Sequence, residues 1–138
     1  SPGGRCGKLI EVLVHGLTLA PTQKKIMDEC IRRGKPPPDS IQNAPELNPG
    51  LGLYYIAFLD LTGCRQLGES IGPIDWLAVD RYCTRYNIEG EQYEDMHYYL
   101  GKMDLAFMEH YRDKRKAEHD AATRRIKSQA KRPHPRKR

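Results

Sequence analysis

Histidine is the first residue type to test for chemistry, because two histidines four apart on a helix can hold a catalytic zinc ion. The five histidines, His15, His97, His110, His119 and His134, are scattered along the chain. His110 and His119 lie nine residues apart and do not share a helical face. His97 adjoins Tyr98 and Tyr99 in a stretch whose apolar stripe uses Met96 and Leu100, and it reads as a partly exposed helix histidine. The acids Glu89, Glu91, Glu94 and Asp95 lack the ordered spacing and the glycine of a calcium loop. They suit instead the electropositive first turn of a helix. Gly63, Gly68 and Gly72 form neither a dinucleotide nor a phosphate-binding pattern, and Ser70 has none of the flanking residues of a nucleophile elbow. Cys6, Cys30, Cys64 and Cys83 are 24, 34 and 19 residues apart, with none of the close pairs that a zinc ribbon or a redox site needs. Several of these thiols are expected to serve as small core side chains. No catalytic, cofactor or metal constellation emerges, and the expectation is a non-enzyme without a cofactor.

The elements that would position these residues lie in a chain of 138 residues, a length that favours one domain. Its 38% hydrophobic residues are fewer than the roughly 45–50% of ordinary domains, so a small core is expected. Charge is divided by position. Residues 112–138 hold 12 basic and 3 acidic side chains, net +9, whereas residues 1–111 hold 11 basic and 15 acidic ones, net −4. The chain thus reads as an acidic body with a basic tail. The apolar run at Lys8–Ala20 is interrupted by Glu11 and His15, which suits neither a signal segment nor a membrane span. The expectation is a soluble, cytoplasmic protein that makes no membrane contact.

Residues 1–7, with Gly3, Gly4 and Gly7, read as a flexible lead-in, and the apolar run from Leu9 to Val14 fits either a helix or a buried strand. From Pro21 or Thr22, the residues Ile26, Met27, Cys30 and Ile31 fall on one helical face, and Gly34 supplies a stop. Residues 1–34 are therefore an N-terminal helical segment. Pro36, Pro37, Pro38, Pro45 and Pro49 make residues 35–49 an extended connection outside the core. Residues 50–111 form the helical core. Its first helix, within residues 50–62, is apolar nearly all round. Asp75 is set to cap a second one from Trp76 to about Tyr86, with Trp76, Val79, Tyr82 or Cys83, and Tyr86 buried. A turn at 87–90 leads into a last helix, where Tyr93, Met96, Leu100, Met103, Phe107 and then His110 or Tyr111 recur at steps of three and four, a heptad-like seam that needs a partner. Helix-favouring residues continue to Ser128, and residues 131–138 are expected to be disordered when free. The fold class is all-α, a small bundle of four to five helices with a long C-terminal helix and a basic tail.

The turn at 87–90 gives a helix-turn-helix outline, but Glu91, Glu94 and Asp95 stand where bases would be approached, and phosphates would repel them. The basic tail is the better candidate for phosphate, held non-specifically by Lys114, Arg115, Lys116, Arg124, Arg125, Lys127, Lys131, Arg132, Arg136, Lys137 and Arg138. It equally suits an acidic protein surface.

Three segments carry a resemblance: Ala44-Pro-Glu-Leu-Asn-Pro-Gly50 with Tyr54-Tyr-Ile-Ala-Phe58; Gly72-Pro-Ile-Asp-Trp-Leu-Ala-Val-Asp-Arg-Tyr82; and Lys102-Met-Asp-Leu-Ala-Phe-Met108. In this order, across residues 36–111, the chain resembles small proteins encoded in the tail-gene region of tailed bacteriophages, near the tail-assembly chaperone and tape-measure genes. The resemblance implies a helical, non-enzymatic protein of tail assembly or of the virion, acting in the host cytoplasm on other phage proteins. Residues 1–34 and the basic tail depart from the pattern. On this reading Leu53, Tyr54, Phe58, Trp76, Leu100, Met103 and Phe107 form core or interface, residues 112–138 hold an acidic protein or DNA, and homo-oligomers are compatible with the seam.

Overall fold

A computed structural model describes residues 2–65 and 72–131, with side chains from residue 4 onward. Among the described residues there are five α-helices and no strand: α1 (Pro2–Thr18), α2 (Pro21–Arg32), α3 (Gly52–Thr62), α4 (Trp76–Arg85) and α5 (Glu91–Ala130), with one 3₁₀ turn at Pro49–Leu51. The chain divides into two units, Ser1–Met108 and Glu109–Arg138. Charge alone would divide it at residues 111 and 112.

In the first unit α1 begins at Pro2, so the glycine-rich lead-in is helical. Glycine costs a helix about 1 kcal/mol relative to alanine. The burial of Cys6, Leu9, Val12 and Leu13 on one side of α1 outweighs that cost. Gly16 lies at the close approach of α1 to α2, where a Cβ would sit 2.9 Å from Cε of Met27. Ala20 is extended, as the residue before a proline tends to be, and Pro21 opens α2. Gly34 takes φ of 67° just past its end.

The Pro-rich connection does not stay outside the core. Ile41 is buried, and Ala44 and Leu47 pack against the core from the same segment. Prolines restrict the backbone there, but they do not prevent every third side chain, Ile41, Ala44 and Leu47, from turning inward. α3 is the central element, burying Tyr54, Tyr55, Ala57, Phe58 and Leu61 on one side and leaving Leu53, Ile56 and Leu59 half-buried on the rest. Asp75 caps α4 by accepting a hydrogen bond from the Leu77 amide at 3.0 Å. Asn87 and Gly90, at φ of 55° and 63°, turn the chain into α5. The α5 seam buries Met96, Leu100 and Met103, together with Tyr99 and Asp104. Tyr54 and Tyr99 meet edge to face at 4.8 Å, and Phe58 and Phe107 at 5.8 Å.

The α4 stripe differs from its sequence reading. Val79 and Cys83, four residues apart, are buried, while Trp76 and Tyr86 are exposed. A ten-residue helix presents only one narrow side inward, and the Val79–Cys83 side won it. All four cysteines are free thiols. Only Cys6 and Cys83 are buried, and burial pushes both thiols up from their ordinary range, away from the reactive thiolate. Gly68, Ser70, Arg132, His134, Arg136, Lys137 and Arg138 lie outside the described residues.

Leu100 is 1% exposed and Leu105, on the same helix, is 65% exposed. Leu100→Ala is therefore expected to cost about 2–5 kcal/mol in urea unfolding followed by circular dichroism. Leu105→Ala should stay within about 0.5 kcal/mol of the parent. Equal losses would show that the inward face of α5 has been misassigned.

Candidate functional site

The site is built from the end of α3 outward. Arg65 lies three residues past α3, and its side chain is only 3% exposed. Its Nη2 donates to Asp104 of α5 in an ion pair and also reaches Thr62 Oγ1 at 3.3 Å. Nη1 donates to the Gly72 carbonyl at 3.0 Å. The second Asp104 oxygen accepts the Ile74 amide at 2.9 Å. The guanidinium carbon stands 4.5 Å from the centroid of Phe107 and 5.7 Å from that of Phe58. A buried charge needs such partners, and of the guanidinium nitrogens Nε is left without one. The pair joins the end of α3, the segment leading into α4, and α5.

That anchoring delivers Asp75 and then Trp76. Trp76 is 59% exposed and stacks on His97 of α5, with centroids 4.9 Å apart and planes 24° apart. Tyr93 meets the same imidazole edge to face at 4.8 Å and donates its hydroxyl to Asp80 at 2.7 Å. This bond to the Asp80 carboxylate, with some desolvation, pushes the Tyr93 phenol up to about 12. The result is an aromatic ledge of Trp76, His97 and Tyr93, with Leu77 exposed on α4 and Tyr86 exposed at the C-cap of that helix. Beneath Trp76 and His97 lies a cavity of about 110 Å³ that reaches Leu100 and Asp104.

Another surface lies on the outer side of α5 within the first unit. Tyr98 and Leu105, seven residues apart, are 48% and 65% exposed, with exposed Gly101 between them. Lys102 Nζ approaches the Tyr98 ring at 5.8 Å. In the second unit no described side chain is buried. Lys114, Arg115, Lys116, Arg124, Arg125, Lys127 and Lys131 are all exposed, as is Ile126.

The seven apolar residues singled out from sequence thus separate. Tyr54, Phe58, Leu100 and Met103 are buried, Leu53 and Phe107 are half-buried against the core, and Trp76 is exposed. Sequence reasoning passed over Arg65 and Asp104, whose pairing spans 39 residues and leaves no local pattern. It also passed over Tyr98 and Leu105, although their spacing of seven on the side opposite the seam was readable. Among the described residues no group of three His, Cys, Asp or Glu side chains is placed to hold a metal ion.

The model of one protein family, the phage tail assembly chaperones, matches residues 30–109, which contain Arg65, Trp76, His97, Tyr98, Asp104 and Leu105. No curated protein and no solved structure matches the chain.

Asp104→Asn leaves a buried guanidinium without its counter-charge and is expected to cost about 3–5 kcal/mol. Replacing both partners, Arg65→Met with Asp104→Leu, should recover most of the loss. Trp76 is the single tryptophan, so its emission in Asp104→Asn should shift to the red as the segment before α4 loosens. Unchanged urea stability and emission in that variant would remove the pair from its anchoring role.

Proposed function

The chain belongs to the phage tail assembly chaperone family, and we propose that it acts in tail assembly by holding other tail proteins through protein–protein contacts, without catalysing a reaction. The family match over residues 30–109 is the observation that carries this reading. Physical support comes from Trp76 and Leu77 at the start of α4 and Tyr86 at its C-cap, three large apolar side chains that face solvent. Aromatic side chains of this type are frequent anchors of protein interfaces. The buried residues Tyr54, Phe58, Leu100 and Met103, with Leu53 and Phe107 beside them, act by keeping that surface in place. Trp76 meets the partner directly.

The basic residues of the second unit hold an acidic partner. A second reading, non-specific DNA contact through the same side chains, is favoured by the exposure of Lys114, Lys116, Arg124, Arg125, Lys127 and Lys131. DNA affinity already absent at about 50 mM salt in a filter-binding titration would eliminate it. No helix among the described residues is long and apolar enough to cross a membrane, and the host cytoplasm is the proposed place of action.

A phage with this gene interrupted is expected to give particles with missing or incomplete tails by electron microscopy, and tailed particles at the normal yield would refute the role. Mass spectrometry of purified wild-type particles should find the chain absent or far below stoichiometry. A full complement would make it a virion component instead.

A further inference from the structure

We propose that the basic helical unit of one copy of this chain docks on the Tyr98–Leu105 face of α5 in a second copy, so that the chain self-associates. The inference rests on the protein-contact reading above and names one partner for the second unit.

The second unit needs a contact. Its described residues, 109–131, bury no side chain, and a helix in a protein draws most of its stability from packing an amphipathic face. One side of it carries Ala122 and Ile126, four residues apart, with His119 three before Ala122. Ile126 is 66% exposed, and Arg125 and Lys127 flank it. Residues 109–131 carry eight basic and four acidic side chains.

The first unit offers the complement. Tyr98, Gly101, Leu105 and Met108 recur on α5 at steps of three, four and three, opposite the buried seam. Tyr98, Gly101 and Leu105 are exposed, and a Cβ added at Gly101 would meet nothing within 4 Å, so another backbone has room to approach there. Glu91 and Glu94, seven and four residues before Tyr98, are exposed on the same side of the helix. Residues 89–98 contain four acids, Glu89, Glu91, Glu94 and Asp95, and no lysine or arginine. An apolar seam with an acidic flank thus matches an apolar seam with basic flanks.

Charge complementarity selects the second copy over a nucleic acid at this face, because phosphate would be repelled by Glu91 and Glu94 and would leave Tyr98 and Leu105 uncovered. Pairing in this way uses the apolar and the charged parts of both surfaces at once.

The test uses the full chain, treated with nuclease, in sedimentation velocity at roughly 0.1 mM protein. The wild type should sediment as a dimer or larger species near ~50 mM salt and shift toward monomer near ~1 M salt. Glu91→Lys with Glu94→Lys should weaken association by about tenfold or more, as should Arg125→Glu with Lys127→Glu. An equimolar mixture of these two variants should restore it, because each reversed surface then meets its opposite. Circular dichroism melts confirm that each variant is folded, which the exposure of all four positions favours. A monomeric wild type at low salt overturns the proposal, as does association unchanged in either double variant or not restored on mixing. The tail-assembly reading is judged on particles, and a monomeric chain would leave it standing.

Discussion

One buried charge pair governs how the first unit is put together. Arg65 and Asp104 both lie out of water, and the low-dielectric interior makes an unpartnered charge there costly. Each is therefore held to several groups at once: Arg65 to Asp104, Thr62 and Gly72, and Asp104 to Arg65 and the Ile74 amide. The rings of Phe58 and Phe107 exclude solvent around the guanidinium. An apolar contact tolerates sliding, whereas this arrangement tolerates only one placement of three chain segments. The position of α4 relative to α3 and α5 follows from it, and so does the outward presentation of Trp76.

A second device repeats three times and explains why tyrosine dominates the aromatic residues. Tyr55 donates its hydroxyl to Asp28, Tyr82 to Asp60, and Tyr93 to Asp80. Each ring fills space that a phenylalanine would fill, and each hydroxyl ties two segments together at a carboxylate. Lys24 and Arg32 complete two of these pairs from α2, at 2.6 Å to Asp28 and to Asp60. Burial first, and then the neighbouring carboxylate, pushes the Tyr55 and Tyr82 phenols well above their ordinary range, so these hydroxyls remain donors at any pH the protein meets. A core with only two phenylalanines is in this way given both volume and direction.

Local signals in the sequence were readable wherever a backbone rule enforced them. Pro21, Gly34, Asp75 and Gly90 mark helix ends because φ, amide loss or capping geometry leaves few alternatives, and the α5 seam declares itself by period. Where burial competes with propensity, the reading failed. The glycines near the start of α1 outweigh its apolar face in sequence but not in the fold, and Ile41 hides among prolines that suggest a spacer. Hydrophobicity alone points Trp76 inward, whereas the short α4 buries only Val79 and Cys83. The Arg65–Asp104 pair left no trace because nothing local requires it. The exposed residues of the candidate surface were therefore less legible than the buried ones that support it.

The division of charge takes on a narrower meaning once the internal pairs are known. Asp28, Asp60, Asp80 and Asp104 belong to the acidic body, yet each is engaged with a tyrosine or arginine inside the first unit. Those carboxylates stabilise the fold and contribute little that a visiting cation could claim. The acids that remain in one exposed run are Glu89, Glu91 and Glu94, at the start of α5. The excess of negative charge over residues 1–111 is thus a poor guide to where a basic partner would settle, because much of it is already used within the fold. What is left is concentrated on the same helix as Tyr98 and Leu105, and that coincidence of charge with uncovered apolar surface turns a difference in net charge into a location.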